Sequence, residues 1–208
     1  MHILSYTAVA ALAVVCCVDI VSSHAAHSDS GTQQAIVPAD TLQRLVDYCQ
    51  AHDLYSGSII IVDFAIRSSQ DRFFVVNTQN GAVEISSRCA TGSGSGDGTY
   101  PPKFSNEPGS NCSSLGHFAV LGTRRMNTRR LNSFVLNGLD STNSNARLRA
   151  ILIHPSKTID AYADSAGILI PPSSEVSSGC FAIESEAMTK LEGIFSRAGR
   201  PMLLYAFF

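Results

Sequence analysis

The feature that most limits the fold of this chain is a succession of short apolar runs, rich in β-branched and aromatic residues. The predicted strands are 59–64, 73–77, 83–87, 117–121, 133–136, 150–154 and 202–208. Asn80-Gly81, between the second and third runs, is typical of a hairpin turn and predicts antiparallel pairing of these strands. Because helices do not alternate with the strands, the pattern excludes a doubly wound sheet. It predicts a mainly β fold, a mixed β-sandwich or barrel with two or three peripheral helices.

Two amphipathic helices are predicted beside the strands. Asp40 can cap the first and Ser185 the second, and Gly199 lies where the second should end. Apolar residues at spacings of three and four give each helix one buried face. These residues are Leu42, Leu45, Val46 and Cys49 in the first helix, and Ala187, Met188, Leu191, Ile194 and Phe195 in the second. Cys49 is therefore predicted to be a buried core thiol.

The N-terminal segment has the pattern of an export signal. Residues 3–21 are almost wholly apolar, and Ser23 and Ala25 suit cleavage by a signal peptidase. No Lys or Arg precedes Arg44, which leaves an uncleaved membrane anchor as the alternative. The predicted organisation is a signal at 1–25, a flexible tether at 26–37, an N-terminal helical segment at 38–56 and one domain at 57–208. The predicted location is the periplasm or cell envelope.

The charge composition argues against a nucleic-acid partner. The 15 Lys and Arg residues against 17 Asp and Glu residues leave a net charge of −2, and these charges are scattered along the chain. No Cys-x-x-Cys or His-Glu-x-x-His spacing is present, so neither a metal nor a cofactor is predicted. The glycine-rich run 92–98 lacks the Gly-Lys-Ser/Thr ending of a phosphate-binding loop. It is predicted to be a mobile loop beside the functional site.

Cys180 and His154 are the residues best suited to chemistry. Cys180 follows Gly179, and a residue without a side chain lets a substrate carbonyl approach backbone N–H groups. His154 ends a predicted strand, which can hold a base rigidly beside a thiol that is little ionised at neutral pH. Taken singly, a structural cysteine and a satisfied core histidine stay open as interpretations. Taken together, the two residues favour a cysteine nucleophile with a histidine base.

Several sequence blocks occur in a fixed order over most of residues 57–208. They are Ser58-Ile59-Ile60-Ile61-Val62-Asp63-Phe64, Gly94-Ser95-Gly96-Asp97, Phe104-Ser105-Asn106, Ser113-Ser114-Leu115-Gly116, Leu136-Asn137-Gly138-Leu139, Asn145-Ala146-Arg147-Leu148-Arg149-Ala150, Ile153-His154 and Ser177-Ser178-Gly179-Cys180. This ordered set resembles the murein L,D-transpeptidase catalytic-domain family, which is related to the YkuD-like domain.

The resemblance implies a β-rich enzyme whose cysteine attacks the carbonyl of a diamino acid in a peptidoglycan stem peptide and releases the terminal D-alanine. The resulting thioester would pass to the amine of a second stem and form a 3-3 cross-link. The resemblance also implies carbapenem β-lactams as inhibitors. Two alternatives stay open. One is an L,D-carboxypeptidase or other peptidoglycan amide hydrolase, and the other is a non-enzymatic domain that binds the cell wall.

Roles for the residues around the thiol follow from the same resemblance. Cys180 matches the family nucleophile and His154 matches its base. The backbone N–H groups of Gly179 and Cys180 match the oxyanion donors. Ser177 and Ser178 would shape the site next to the thiol.

Substrate-binding residues are implied by two further blocks. Arg147 and Arg149 match basic positions that would meet substrate carboxylates, although solvated or structural ion pairs are an equal alternative. Ser113, Ser114 and Gly116 are additional candidates for contact with the stem peptide.

Three positions depart from the family pattern. Val176 stands in place of arginine, Phe181 in place of proline and Pro155 in place of glycine. Loss of the arginine removes a charge that could hold a carboxylate or lower the pKa of the thiol. These departures are the reason for the non-enzymatic alternative.

Cys89 and Cys112 bracket the loop 92–111, so a disulfide between them is one hypothesis and a pair of free thiols is the other. Such a bridge would staple the two ends of the loop and contribute about 3 kcal/mol through loop-closure entropy. Cys180 must stay reduced to react, and Cys49 is expected to be buried, which argues against pairing those two.

Overall fold

The structure is a computed structural model that describes residues 36–96, 100–125, 132–163 and 177–208. The predicted signal 1–25 and residues 26–35 of the predicted tether lie outside these ranges. The helices and strands are, in chain order, α1 (Ala39–Ala51), β1 (Tyr55–Asp63), β2 (Phe73–Asn77), β3 (Val83–Ser87), a 3-10 turn (Ser93–Ser95), β4 (Gly116–Arg125), β5 (Asn132–Gly138), β6 (Leu152–Pro155), α2 (Lys157–Ala163), β7 (Phe181–Ile183), α3 (Ser185–Ala198) and β8 (Met202–Phe207).

The mainly β class predicted from the sequence is confirmed, and each of the seven predicted strands is present. β6 begins later than predicted, at Leu152, because Ala150 has a φ of 53°, which lies outside the strand region. Two elements escape prediction from the sequence. β7 has three residues and α2 has seven, so neither is long enough to show a periodic pattern.

All eight strands form one sheet in the order β3-β2-β1-β8-β4-β5-β6-β7. β1, β2 and β3 pair antiparallel as predicted, whereas β1 pairs with β8, and β6 with β7, in parallel. The two edges of the sheet meet where Cys89, just after β3, bridges to Ile183 of β7. The N–H of Ala90 also donates to the carbonyl of Ala182 across this gap (3.0 Å). The sheet is therefore nearly closed, which is the barrel form of the predicted architecture.

Alternate residues of each strand face opposite sides of the sheet. Ile60 and Val62 of β1 belong to a cluster to which all eight strands and α3 contribute, and we call this side the inner face. Ile59 and Ile61 belong to a second cluster, covered by α1, on the outer face. Val37 is buried in this outer cluster, so the predicted tether ends before residue 37.

The helices confirm their predicted buried faces but not their predicted caps. Leu45 and Cys49 of α1, and Ala187, Met188, Leu191 and Ile194 of α3, are buried. Asp40 lies inside the first turn of α1, because Pro38 already sets the backbone angle at the helix start. Ser185 is the first helical residue of α3, and its N–H and hydroxyl both donate to the Asp160 carboxylate (2.7 and 2.6 Å).

Within the described ranges, no helix is long and apolar enough to cross a membrane.

Candidate active site

Cys180 and His154 lie on neighbouring parallel strands. Cys180 immediately precedes β7, and His154 of β6 pairs with Ala182. Continuing this register backwards puts the backbone of Cys180 across from Leu152, two residues before His154. For strands about 4.8 Å apart with a rise of about 3.3 Å per residue, the Cα atoms of Cys180 and His154 are roughly 8 Å apart. The sheet register thus brings together the two residues that the sequence singled out.

The Cys180 thiol is half-buried, and its Sγ lies 3.6 Å from the carbonyl oxygen of Ala150. Burial raises the pKa of this thiol above its ordinary value. A hydrogen bond with the backbone of Leu152 and the positive charge of Arg149 both act in the opposite direction. Because burial prevails, the thiol needs a neighbouring base to react at neutral pH.

Ala150 is a strained residue beside the thiol. Its φ of 53° is in the left-handed region, which costs a residue with a Cβ about 1–2 kcal/mol. Its N–H donates to the carbonyl of Arg147 (3.1 Å), and its own carbonyl faces Cys180 Sγ. Strain of this kind is concentrated at functional positions. No signal in the sequence could have identified it, since alanine has no functional group.

The hydrogen bonding of His154 determines which ring nitrogen carries the proton. Nδ1 lies 3.0 Å from the carbonyl oxygen of Pro155. A carbonyl can only accept a hydrogen bond, so Nδ1 is assigned as the donor. In the neutral ring, Nε2 then bears the lone pair that a general base needs.

Ser177 closes the turn that carries the nucleophile. Its Oγ donates to the carbonyl of Cys180 (2.7 Å) and accepts a hydrogen bond from the N–H of Gly179 (3.1 Å). These contacts suit the shaping role that the resemblance implies for Ser177, whereas Ser178 is exposed. The Gly179 N–H is buried and donates to this hydroxyl, so the donor is occupied in this structure. The expected oxyanion role of Gly179 stays a prediction.

Three loops meet beneath the nucleophile at positions where only glycine fits. A Cβ on Gly92 would lie 2.2 Å from the carbonyl oxygen of Asn111 and 2.8 Å from the nitrogen of Gly179. A Cβ on Gly179, whose φ is 112°, would lie 2.6 Å from the carbonyl oxygen of Cys112. The described part of the glycine-rich run, 92–96, is therefore packed under the site and is not the mobile loop that was predicted.

Arg149 joins these loops through uncharged acceptors. Its Nη1 donates to the carbonyl of Ser105 (2.7 Å) and to Ser114 Oγ, and its Nη2 donates to the carbonyl of Cys112. The guanidinium is therefore engaged inside the protein. Three protein oxygens use three of its five N–H donors, and contact of Arg149 with a substrate carboxylate stays a prediction.

Ser113, Ser114 and Gly116, three further candidates for substrate contact, take part in the packing of the loops. Ser113 Oγ accepts a hydrogen bond from the Gly92 N–H (2.9 Å), and Ser114 Oγ donates to the Ser105 carbonyl (2.9 Å). A Cβ on Gly116, at the start of β4, would lie 2.3 Å from a carboxylate oxygen. Each of these three residues is used in loop packing, and substrate contact by them stays a prediction.

A cavity of about 390 Å³ opens beside Cys180. Its lining residues are Leu121, Gly122, Thr123, Val135, Leu136, Arg147, Ala150, Ile151 and Leu152. Ala150 and Leu152 are also the residues whose backbones contact the thiol. Arg147 is exposed and is the one charged residue among these lining residues. Cys180 is not itself a lining residue, so the cavity adjoins the backbone around the thiol and carries one guanidinium at its wall.

The four cysteines of the described ranges are all free thiols. Cys89 lies in the inner cluster, where burial raises its pKa to about 12, whereas Cys112 Sγ faces the carbonyl of Gly94 in the loop (3.1 Å). The hypothesised disulfide is absent because the two side chains point into different surroundings. The predicted burial of Cys49 is confirmed, and burial raises its pKa to about 11.

Among the described residues, no group of three or more His, Cys, Asp and Glu side chains is placed to hold a metal ion.

This arrangement predicts the order in which the thiols react. Iodoacetamide added to the folded protein should label Cys180 first, because Cys49, Cys89 and Cys112 are buried. After unfolding in denaturant without a reductant, the three buried thiols should be labelled as well. Peptide mapping by mass spectrometry distinguishes these outcomes. A pair of peptides joined through Cys89 and Cys112 would show that the loop is stapled after all.

Comparisons with known proteins connect this geometry to a family. The sequence pattern of the L,D-transpeptidase catalytic domain matches residues 32–206. Among solved structures, the helical cell shape determining protein Pgp2 from Campylobacter jejuni has a TM-score of 0.44 at 10% identity, and covers 81% of this chain and 55% of its own. A point variant of Pgp2 has a TM-score of 0.46 at 11% identity, with 82% and 56% covered.

This chain thus spans little more than half the length of those two structures. No significant match is found among curated protein sequences. By contrast, the match to the family covers most of this chain. It includes every described helix and strand from α1 to α3. The chain therefore belongs to the L,D-transpeptidase catalytic-domain family.

Proposed function

We propose that this chain is an L,D-transpeptidase that forms 3-3 cross-links in peptidoglycan, with Cys180 as the nucleophile and His154 as the base. One observation supports the proposal: in the parallel register of β6 and β7, His154 pairs with Ala182, two residues after Cys180. The assigned tautomer of His154 supports it, because Nε2 is then able to accept the thiol proton.

The first half of the reaction would form an acyl-enzyme. His154 Nε2 takes the proton of the Cys180 thiol, and the thiolate attacks the carbonyl carbon of the diamino acid in a stem tetrapeptide. A C–S bond forms, and an electron pair of the carbonyl moves to its oxygen. The Cys180 N–H is the remaining candidate donor to this oxyanion. When the C–N bond breaks, the departing D-alanine amine takes the proton from His154 and leaves a thioester on Cys180.

The second half would transfer the acyl group to an acceptor. The side-chain amine of another stem attacks the thioester carbonyl, a new C–N bond forms and the C–S bond breaks. The amine proton passes to His154 and from there to the departing thiolate. If water replaced the amine, the product would be a shortened stem, as in an L,D-carboxypeptidase.

Two departures from the family pattern leave the Cys180–His154 pair intact. Phe181 is buried in the inner cluster, so its side chain lies on the opposite side of β7 from the thiol. Pro155 supplies the carbonyl that holds His154 Nδ1. Both observations support an enzyme over a non-enzymatic wall-binding domain.

The proposed substrate requires a location outside the cytoplasm. The apolar segment 3–21 and the candidate cleavage site after Ala25 support export to the periplasm or cell envelope. Edman sequencing or intact mass of the protein from a bacterial periplasmic fraction would test this. An intact N-terminus in a membrane fraction would support the anchor instead.

The decisive experiment is incubation of the purified protein with tetrapeptide muropeptides, followed by chromatography and mass spectrometry. Dimers with a 3-3 linkage together with free D-alanine would support transfer. Tripeptide monomers without dimers would support hydrolysis. If neither forms, and a carbapenem leaves no mass adduct on Cys180, the enzymatic proposal is wrong and the wall-binding alternative gains.

Arg147 is proposed to bind the terminal carboxylate of the stem tetrapeptide, because it is the charged residue of the cavity beside the thiol. Arg147→Gln is expected to raise the KM about tenfold, since a charge-assisted hydrogen bond contributes about 1.5–3 kcal/mol. Steady-state D-alanine release measures this. A tetrapeptide amide should show little difference between wild type and variant. Arg200→Gln, which removes an exposed guanidinium outside the cavity lining, is the matched control.

A further inference from the structure

The Arg149 guanidinium is a cation held partly inside the protein, and no carboxylate of the described residues forms an ion pair with it. Its hydrogen-bond acceptors are two backbone carbonyls, of Ser105 and Cys112, and the hydroxyl of Ser114. None of the ion pairs found between described residues includes it. Burial of a charge without a counterion costs free energy. This cost indicates that the position of Arg149 serves a function.

The guanidinium packs directly against the turn that carries the nucleophile. A Cβ on Gly179 would lie 2.9 Å from Arg149 Nη2, and the same Nη2 donates to the carbonyl of Cys112. That carbonyl is also the atom nearest to the Gly179 Cβ position, at 2.6 Å. Arg149 therefore fixes the backbone immediately before Cys180 and holds its positive charge next to the thiol.

We propose that Arg149 is a positioning residue that sets the Gly179–Cys180 turn and stabilises the thiolate form of Cys180 by its charge. The inference deepens the proposed function, since it assigns to Arg149 the activation of the same nucleophile. It leaves proton transfer to His154. The positive charge near the thiol acts against the effect of burial, which raises the pKa of Cys180.

Few other titratable groups surround the thiol in the described ranges. His154 lies on the neighbouring β6, Arg147 lines the cavity beside the thiol, and the buried Cys112 thiol lies within the electrostatic reach of Arg149. The neighbouring β7 contributes no titratable side chain. A change in the ionisation of Cys180 on replacing Arg149 can therefore be assigned to the guanidinium.

The test is the pH dependence of Cys180 alkylation by iodoacetamide in the full-length protein, followed by the mass of the Cys180 peptide. The rate follows the thiolate fraction and rises with pH through the pKa of the thiol. In Arg149→Gln the midpoint is expected to move up by about one pH unit, which means about tenfold slower labelling below the midpoint. In Arg149→Lys the charge remains, so the midpoint should stay near that of wild type.

A purely structural role predicts a different pattern, in which both variants lose stability equally and neither moves the midpoint. That outcome, in folded proteins, would overturn the proposal. If Arg149→Gln does not fold, the wild-type midpoint at low and at high ionic strength decides: a higher midpoint at high salt, where the guanidinium charge is screened, supports the charge effect, and an equal midpoint at both overturns it. Arg200→Gln controls for the loss of one positive charge elsewhere. Because alkylation requires no peptidoglycan substrate, failure here is separate from failure of the transpeptidase proposal.

Discussion

Cys180→Ala is expected to abolish both D-alanine release and carbapenem acylation, since no other thiol in the described ranges is accessible. His154→Gln should slow D-alanine release about 10²- to 10⁴-fold, the usual contribution of a positioned base. D-alanine release under single-turnover conditions measures both effects. Glutamine keeps the size and polarity of the side chain but cannot accept the thiol proton.

The pH profile separates the two roles. Because burial raises the pKa of the Cys180 thiol, the residual rate of His154→Gln should keep rising into alkaline solution as hydroxide replaces the base. Cys180→Ala should remain inactive at every pH. Cys49→Ala, which removes a thiol under α1 in the outer cluster, should leave the rate per folded molecule unchanged. Turnover by Cys180→Ala would refute the assignment of the nucleophile.

Gly92→Ala is expected to destabilise the fold by about 3 kcal/mol and to disturb the nucleophile at the same time. The added methyl group would meet the backbone of Asn111, Cys112 and Gly179 at 2.2–2.9 Å, and backbone atoms cannot swing aside. Gly92 has a φ of −61°, so no backbone strain contributes to this loss. Urea unfolding measures the free energy, and the rate of Cys180 alkylation reports the local change.

Gly81→Ala is the matched control for this substitution. Gly81 has a φ of 71° but nothing within 4 Å of its Cβ position, so alanine there introduces strain without a clash. It should cost about 1 kcal/mol and leave Cys180 alkylation unchanged. If the two variants have the same free energy of unfolding, the three loops can move apart to accept the methyl group. The close packing at Gly92 would then contribute nothing to stability.

Local sequence was sufficient wherever neighbouring residues decide the structure. Short apolar runs rich in β-branched and aromatic residues predicted seven strands, and spacings of three and four predicted the buried faces of α1 and α3. Even so, the caps at Asp40 and Ser185 were wrong. At Ser185, both the N–H and the hydroxyl donate to the carboxylate of Asp160 in α2. A contact between two separate helices cannot be predicted from neighbouring residues in the sequence.

The candidate site divides in the same way. The sequence pointed to Cys180 and His154 through residue type and ordered blocks, but their relation depends on the parallel pairing of β6 with β7, across a separation that a local pattern does not span. For Arg149 it left substrate contact and a solvated or structural ion pair open, and it did not indicate the uncharged acceptors that lie 35 to 44 residues away in the chain. The chemistry available to a side chain follows from its residue type. The groups that accept its hydrogen bonds depend on the tertiary structure.

By itself, the sequence determined the β-rich class, the buried faces and the pair of residues able to perform thiol chemistry, because these follow from local periodicity and residue type. Only the tertiary structure decided the near closure of the sheet at Cys89 and Ile183 and the packing of three loops on Gly92 and Gly179. It alone also placed the Arg149 cation beside Cys180. These features are contacts between segments that are far apart in the chain. Such contacts stabilise the protein only after folding has brought both segments together.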